Sequence, residues 1–447
     1  MSHSTEGDHT ASVALQLADL DAAPPEFHCL LDGAEPQRRS RSYIICLVLG
    51  MAGRKPFIVA GSFGIVVALL GYAWSPDLAA LWSGAGGGNF SSAILSQVSV
   101  SFFFLLLNVA IQPVQSALRA LVVDKCDTSQ QAQATAWASR ISFVASMASY
   151  LAAASDLAGE FLIRTNQLQS LVNLSIVVIV SSVGVTCCVV SEGREKPPPR
   201  PEVREGMLDT WKMLSPHLRR IYLAQFFSWF AWFPVLVQIT GFINTLSCAS
   251  QTTAQRGDSR CQSLGASALF DQACVALAIS ITLPHLVQRL SSAPASPKYE
   301  LLSARSHEPP SLELWVLRMV WLTSQVLFSI LLCMTFFKSG TLATLAIALS
   351  GVCWCVTQWV PFVLANEEVI RIEDTRRLAA LDSRTGLLLG AHNTFIASPQ
   401  ILASGISSLL FEVLKAAGIS NPLNNILWVF SGSILSSSIA ALLIWRL

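Results

Sequence analysis

A stripe of polar side chains runs through one of the most apolar stretches of the chain. Asn108, Gln112, Gln115 and Arg119 recur at intervals of four, three and four residues, among Phe, Leu, Val and Ala. On an α-helix these intervals place all four on one face roughly 60° wide. Polar groups are costly in lipid and tend to face the interior of a bundle or a water-filled path. The stripe therefore predicts either hydrogen bonds between helices or one wall of a polar cavity.

Two charged residues follow the stripe. Asp124 lies five residues after Arg119, so on a regular helix it points about 140° away from that arginine. It is either a solvated carboxylate at the membrane interface or a partner of Arg140, which lies about one and a half turns into the next apolar segment. Arg140 could instead extend its guanidinium to the interface. A carboxylate that faces an arginine in a cavity of low dielectric titrates with its occupancy and its neighbours, which is how a proton can be coupled to a solute.

Amide and aromatic side chains also share helix faces in the second half of the chain. Gln225, Trp229 and Trp232 lie on one face. This combination suits a sugar, because sugars stack on aromatic rings and hydrogen-bond to amides. The same tryptophans would equally suit an aromatic belt at the membrane interface. Further candidates within apolar runs are expected to be members of a relay or merely satisfied groups: Trp354 with Gln358, Asn393 with Gln400, and two residues expected to be buried, Asp271 and His392.

The composition places these residues in a membrane protein. Of 447 residues, 52 % are apolar and 13 % are charged, whereas a soluble domain carries about 25 % charged residues. The mean hydropathy is +0.53. Ten apolar runs are long enough to cross the roughly 30 Å hydrocarbon layer as helices, which predicts an all-α membrane protein with about ten visible transmembrane helices. The runs lie near residues 57–74, 97–118, 134–155, 169–190, 221–243, 265–287, 315–337, 340–364, 386–411 and 424–445.

The distribution of Lys and Arg predicts the orientation in the membrane. If the residues before 57 are cytoplasmic, the cytoplasmic segments hold 22 of the 29 Lys and Arg, and the outer segments hold 5. This bias follows the positive-inside rule and predicts that both termini are cytoplasmic. Asn89, in the sequon Asn-Phe-Ser, then falls on the outer side and is a candidate for glycosylation. Cys248 and Cys261 share an outer loop, where they either form a disulfide bond or remain two free thiols.

Charge and proline divide the chain into four regions. Residues 1–42 are a polar, cytoplasmic tail without the pattern of a signal peptide. Residues 43–190 form a first helix bundle with four full spans, and residues 221–447 form a second bundle with six. The proline-rich, charged segment 191–220 is predicted to be the cytoplasmic linker between them. Every loop is too short to bury a core of its own.

Several function classes lack any sequence signal. The chain has no phosphate-binding G-x-x-x-x-G-K-[ST], no G-x-S-x-G and no H-E-x-x-H. Its eleven cysteines are not spaced for zinc, and no basic stripe points to nucleic acid. We therefore expect no enzyme, no metal and no nucleic-acid partner; the expected surroundings are the lipid bilayer.

Six stretches, in order along the chain, resemble the sucrose/proton symporter family, the glycoside-pentoside-hexuronide:cation symporters of the major facilitator superfamily, and most of all its fungal members. The resemblance extends over about residues 53 to 447. It implies a fold of twelve helices in two halves of six, alternating access, and co-transport of a glucoside with a proton and no other cofactor. The stretches are GRKPFIVAGS (53–62), QSALRALVVD (115–124), QQAQATAWASR (130–140), FFSWFAWFPVL (226–236), TQWVPFVLANEEV (357–369) and GLLLGAHNTFIASPQILASGISSLLF (386–411).

The resemblance also implies roles for single residues. Asp124 matches the family's signature aspartate, which is thought to take the proton and to contact the sugar. Arg119 matches the signature arginine in a structural role, and Arg140 matches a fungal arginine that would be the ion partner of Asp124. Gly53, Arg54 and Lys55 match a basic structural loop. The residues expected to bind the substrate are Asp124, Gln112, Gln115, Trp229, Trp232, Gln358, Asn393 and Gln400.

The chain departs from the family in three places. The first two family helices are expected to be missing, the acidic residue before GRK is absent, and the stretch GFINTLSCASQ after residue 240 differs. The prediction is a monomeric secondary transporter for proton-coupled uptake of sucrose, maltose or related glucosides, in the plasma membrane rather than the vacuolar membrane. Three alternatives stay open: a non-transporting membrane sensor or scaffold, an inactive truncated product, and transport of another small solute by the same fold.

Overall fold

Long α-helices account for nearly all of the part of the chain that the structure describes. This structure is a computed structural model, and it describes residues 54–84, 92–126, 128–155, 166–190, 211, 214–249, 259–291, 312–378, 385–419 and 421–447. In chain order the helices are α1 (Lys55–Gly84), α2 (Ser92–Lys125), α3 (Thr128–Ala154), α4 (Gln167–Val189), α5 (Pro216–Ala249), α6 (Ser259–Ser291), α7 (Leu312–Met334), α8 (Gly340–Leu378), α9 (Thr385–Ala416) and α10 (Pro422–Trp445). A short 3-10 turn, Thr335–Phe337, follows α7.

Each of the ten predicted spans corresponds to one of these helices. Within the described ranges, nine of the helices are long and apolar enough to cross a membrane. The exception is α3, in which Ser, Thr, Gln and Arg140 interrupt the apolar residues. The predicted all-α membrane architecture of about ten spans is confirmed.

The last residues of the predicted linker, 191–220, belong to a helix. α5 begins at Pro216, because proline has no N–H to leave unpaired in a first helical turn. The hydroxyl of Ser215 accepts a hydrogen bond of 3.0 Å from the backbone N–H of Leu218, which caps the new helix. The helix therefore starts five residues before the apolar run that predicted it.

Successive helices alternate in direction, so each end of the bundle collects one set of helix termini. We call the end where α4 ends and α5 begins the linker end; α1, α3, α5, α7 and α9 begin there. At the linker end Lys55 donates from Nζ to the carbonyl oxygen of Cys187 over 3.1 Å. At the opposite end Gln169 donates from Nε2 to Asp77 Oδ2 over 2.9 Å. Both contacts join α1 to α4 in the first half of the molecule.

Buried polar side chains hold the helices of the second half together. Gln325 of α7 donates to the hydroxyl of Ser228 on α5 over 3.0 Å, and Ser437 of α10 donates to Gln325 Oε1 over 2.9 Å. In a second contact, Gln272 of α6 donates to Ser350 of α8 over 2.9 Å. Such hydrogen bonds between helices replace the hydration that a membrane interior cannot provide.

The two halves meet along two seams. α2 of the first half packs against α9 of the second, and α3 packs against α6 and α8. In the second seam the buried ring of Phe143 contacts Ala276 and Cys355. These seams bring the polar stripe of α2 opposite the candidate residues of α8 and α9.

Candidate functional site

Three predicted site residues form a hydrogen-bonded bridge between the halves. Arg119 Nη1 donates to Asn393 Oδ1 over 2.8 Å, and Asn393 Nδ2 donates to Gln112 Oε1 over 3.1 Å. Arg119 and Gln112 lie on α2, and Asn393 lies on α9, where only 5 % of it is exposed. We call these three residues the bridge. The stripe of α2 therefore takes part in hydrogen bonding between helices at this level.

Aromatic rings pack against the bridge. The guanidinium of Arg119 lies 4.4 Å from the centroid of the Phe362 ring on α8, a cation–π contact. The ring of His392, which is buried as expected, lies between Phe362 and Tyr222, at centroid distances of 5.1 and 4.9 Å. The hydroxyl of Tyr222 donates to the carbonyl of Leu388 over 2.9 Å. This packing fixes the start of α9 to α5 and α8.

The segment that joins the halves contributes one more ring. Trp211 stacks on Phe395 of α9 at 5.4 Å, and the guanidinium of Arg219 lies 5.6 Å from the Trp211 ring. We call Trp211, Tyr222, Phe362, His392 and Phe395 the aromatic layer. Sequence analysis missed the roles of Tyr222 and Phe362, because a single ring in an aromatic-rich helix carries no signal of the cation or imidazole that will face it.

Three half-buried amides of α2, α8 and α9 are not part of the bridge. Two of them lie further towards the opposite end, and the third lies between two bridge residues on α2. On α8, Gln358 lies one turn from Phe362 towards the opposite end, and on α9 Gln400 lies two turns from Asn393 in the same direction. On α2, Gln115 lies between Gln112 and Arg119. Within the described part of the chain none of these three side-chain amides has a hydrogen-bond partner. They are the polar groups of the seam that remain available to a ligand.

The two tryptophans predicted to share one face have different environments. Trp229 is 9 % exposed, its indole N–H has no partner among the described residues, and its ring meets that of Trp354 edge to face at 5.7 Å. Trp232 is fully buried, donates from Nε1 to Thr357 Oγ1 over 3.2 Å and stacks on Phe328 at 3.9 Å. Trp232 is therefore part of the core of the second half.

Gln225, on the same helix, is fully buried. Neither its Oε1 nor its Nε2 has a hydrogen-bond partner among the described residues. A buried amide without partners is costly, so Gln225 differs from the buried Gln325 and Gln272, whose amides have hydrogen-bond partners.

Arg140 reaches across the second seam. Its Nε and Nη2 lie 3.4 and 3.3 Å from the carbonyl oxygen of Ser280 on α6, and its guanidinium lies 4.8 Å from the Trp137 ring. The backbone of Asp124 lies in the last turn of α2, but its side chain is outside the described residues. The predicted pairing of Arg140 with Asp124 therefore stays a prediction.

The expectation that Asp271 is buried was wrong. Asp271 is exposed on α6, while its neighbour Gln272 is 2 % exposed and bonds to Ser350. Successive residues of a helix point about 100° apart, so the face of α6 that packs on α8 leaves Asp271 outside.

The remaining predicted residues lie at the margins of the described chain. Gly53, Asn89 and the side chain of Cys261 fall outside it. Cys248 is disulfide-bonded, but its bonding partner is not among the described side chains, so the pairing with Cys261 stays a prediction. Arg54 precedes α1. In the described ranges no group of three or more His, Cys, Asp or Glu could hold a metal ion.

Comparison with known proteins agrees with the transporter resemblance. No family model matches the chain. A general alpha-glucoside permease of Schizosaccharomyces pombe is 26 % identical over 454 residues, which cover 87 % of this chain and 80 % of the permease. This match confirms the resemblance to fungal glucoside transporters. Since this similar protein is a permease, the prediction that the chain is not an enzyme is also confirmed.

Solved structures show the fold. A bacterial homologue of iron transporter ferroportin in the outward-facing state has a TM-score of 0.52 at 13 % identity, covering 98 % of this chain and 95 % of that one. The homologue in the outward-facing state with soaked iron also has a TM-score of 0.52, at 14 % identity, covering 88 % and 83 %. The predicted all-α membrane fold is confirmed and is the fold of these two solved structures, and the chain is an integral, multi-pass membrane protein.

Proposed function

We propose that the chain is a secondary active transporter that takes up sucrose, maltose or related glucosides together with protons, by alternating access between its two halves. The observation that carries this proposal is the seam between α2, α8 and α9, where a polar bridge lies beside amides without partners. The match to an alpha-glucoside permease along 87 % of the chain supports a glucoside as the solute.

The sugar binds beside the bridge, towards the opposite end of the bundle. Gln358 and Gln400 supply amides for its hydroxyl groups there, and Gln115 supplies a third amide from between the bridge residues Gln112 and Arg119. Trp229, at the margin of the core, supplies an aromatic face or edge for its C–H groups. Gln112 and Asn393 bond to each other in this arrangement, so they reach the sugar only after the bridge opens. Trp232 acts through Trp354, whose ring it meets at 4.9 Å.

Asp124 carries the coupled proton. Protonated from an acidic exterior, its carboxyl group hydrogen-bonds a sugar hydroxyl, and the neutral, loaded carrier changes from one arrangement of its halves to the other. The neutral cytoplasm then removes the proton. Arg140 is the ion partner that favours the charged carboxylate once the sugar has left.

The linker end is the cytoplasmic end of a monomer in the plasma membrane. The excess of Lys and Arg in the segments assigned to this end supports the orientation. Arg54, Lys55, Arg219 and Arg220 all lie there. Both chain termini are on the cytoplasmic side.

The decisive test is uptake of labelled sucrose and maltose in yeast without sugar transporters, at external pH 5 and pH 7.5, with surface expression measured. A proton symporter accumulates the sugar faster at pH 5 and loses accumulation in the presence of a protonophore. Sugar binding by well-expressed protein without any flux would contradict transport and favour a membrane sensor.

Asp124→Asn is expected to abolish uphill, pH-driven uptake, because the amide cannot take up and release the proton. Asp271→Asn is the matched control: it makes the same change at an aspartate exposed on α6 and is expected to keep pH-driven uptake. Accumulation by Asp124→Asn equal to that of the unmodified chain would remove Asp124 from the mechanism.

A further inference from the structure

We propose that Asn393 is the latch of a gate at the linker end: its hydrogen bonds to Arg119 and Gln112 hold the halves closed, and the cavity opens at this end only when both bonds break. The proposal rests on alternating access as the proposed function and names the residue that controls one of its two states.

The side chain of Asn393 makes contacts suited to this role. Its carbonyl oxygen accepts from Arg119 over 2.8 Å and its NH₂ group donates to Gln112 over 3.1 Å. Both partners lie on α2, more than 270 positions earlier in the chain. One nearly buried amide thus joins the two halves through both of its ends.

The bridge is the strongest polar crossing that the described residues show between the halves. In the other seam, Ser139 donates to the Gln358 carbonyl over 3.4 Å, and Arg140 lies 3.3 Å from the Ser280 carbonyl. Arg140 is a charged donor like Arg119, but both of those distances are longer than the 2.8 Å between Arg119 and Asn393, and hydrogen bonds weaken with distance. Separation of α2 from α9 must therefore release Arg119, whose guanidinium is then available to water.

The bridge contacts involve only the two turns of α2 between Gln112 and Arg119. One turn from Gln112 towards the opposite end, Asn108 donates to the carbonyl of Phe104 on its own helix over 2.8 Å. Gln400 of α9, two turns from Asn393 in the same direction, has no side-chain partner in the described chain. The aromatic layer supports Asn393 from the linker side, because its neighbour His392 is stacked on Tyr222. The seam is therefore closed by hydrogen bonds towards the linker end and has unpaired amides towards the opposite end. This asymmetry is what a gate at the linker end requires.

Two substitutions of similar size separate the latch from a general packing role. Asn393→Leu removes both hydrogen bonds. Asn393→Asp keeps the acceptor for Arg119 and makes it an ion pair, which strengthens that contact. It also loses the donor to Gln112, whose own amide can turn to donate instead. The two variants are expected to shift the gate in opposite directions.

The measurement is labelling of a single introduced cysteine with a membrane-impermeant maleimide, without sugar or pH gradient. Gln115→Cys, on the stripe between Gln112 and Arg119, reports opening at the linker end in inside-out vesicles. Asn108→Cys reports opening at the opposite end in right-side-out vesicles. Labelling of the same protein without the introduced cysteine is subtracted, because the chain has eleven cysteines of its own.

Asn393→Leu is expected to raise the rate of labelling at position 115 from the linker side severalfold and to lower it at position 108 from the other side. Asn393→Asp is expected to lower labelling at position 115. Equal rates in all three proteins, or a rise in both variants, would overturn the latch. If Asn393→Leu does not reach the membrane, Gln112→Leu removes one of the two bonds and must produce a smaller change of the same sign, or the latch is again overturned.

The labelling result is separable from the result for transport. Labelling needs neither sugar nor proton, so a latch that responds as expected in a chain without sugar uptake would overturn the proposed solute and keep the gate. Proton-driven uptake with unchanged labelling in both Asn393 variants would keep the transporter and overturn the gate.

Discussion

At the scale of single residues, the same side-chain type has different roles at neighbouring positions. Gln112 and Asn393 form a hydrogen bond with each other, and Asn393 also accepts one from Arg119. The side-chain amides of Gln358 and Gln400 have no partner in the described chain. All four were predicted to contact the substrate. The structure therefore separates amides that close the seam from amides that can meet a solute.

The tryptophans of α5 provide a test at this scale. Trp229→Leu is expected to raise KM for the glucoside about fivefold, because an aromatic contact is worth about 1 kcal/mol, and to lower the melting temperature less than Trp232→Leu does. Trp232→Leu is expected to lower the melting temperature more, since it empties part of a core in which full truncation of a Trp to Ala costs about 3–5 kcal/mol. KM comes from uptake curves, and stability comes from gel filtration of heated samples. A larger KM effect at Trp232 than at Trp229, in folded protein, would contradict the assignment.

At the scale of the helices, close packing and prolines determine how α2, α5, α8 and α9 can move. Gly351 lets α8 approach the backbone of α6, because an added Cβ would collide with the carbonyl oxygen of Gln272. These four helices each contain a proline, which removes one backbone hydrogen bond and gives the helix a place to bend. These prolines are Pro113, Pro234, Pro361 and Pro399.

Two glycine substitutions test the packing of α8 on α6. Gly351→Ala is expected to destabilise the fold by roughly 1–3 kcal/mol, because the added methyl group overpacks the close contact between the backbones of α8 and α6. Gly241→Ala is the control: a Cβ there meets nothing within 4 Å, so the better helix propensity of alanine should stabilise α5 by about 1 kcal/mol. Thermal denaturation in detergent compares the two. A Gly351→Ala protein that is as stable as the Gly241→Ala protein would show that α8 and α6 are not in this contact.

At the scale of the whole molecule, two halves meet along the α2–α9 seam and the seams of α3 with α6 and α8. The segment that joins the halves ends at the linker end, where Trp211 and Arg219 pack beside α9. A gate at that end therefore lies next to the connection between the halves. Motion of one half is then transmitted to the other through the gate and through the connecting segment.

The orientation of the molecule is tested by glycosylation and tagging. An endoglycosidase should increase the mobility of the unmodified chain on a gel and leave Asn89→Gln unchanged, because the positive-inside bias puts Asn89 outside. A tag after Leu447 should be accessible to antibody only in permeabilised cells. A tag that is accessible in intact cells would reverse the orientation and place the latch at the outer end.

The sequence by itself determined the helices and their faces, because spanning length, hydropathy and the helical period are local properties. Residues close in the chain were enough to predict the ten spans and the polar stripe of α2. They were also enough to predict that α5 and α6 are two separate helices. Even α3, whose hydropathy is low, was identified as the span 134–155. The family resemblance was equally a property of short stretches in order.

Only the tertiary structure decided which faces meet. Arg119 and Asn393 are 274 positions apart, and nothing in either local pattern identifies the other as its partner. The same holds for Trp232, which shares a helix face with Trp229 but is covered by Phe328 and Thr357, and for Asp271, which the packing of α6 leaves exposed. The helical period predicts which residues point the same way. Which helix covers them depends on packing across the whole bundle.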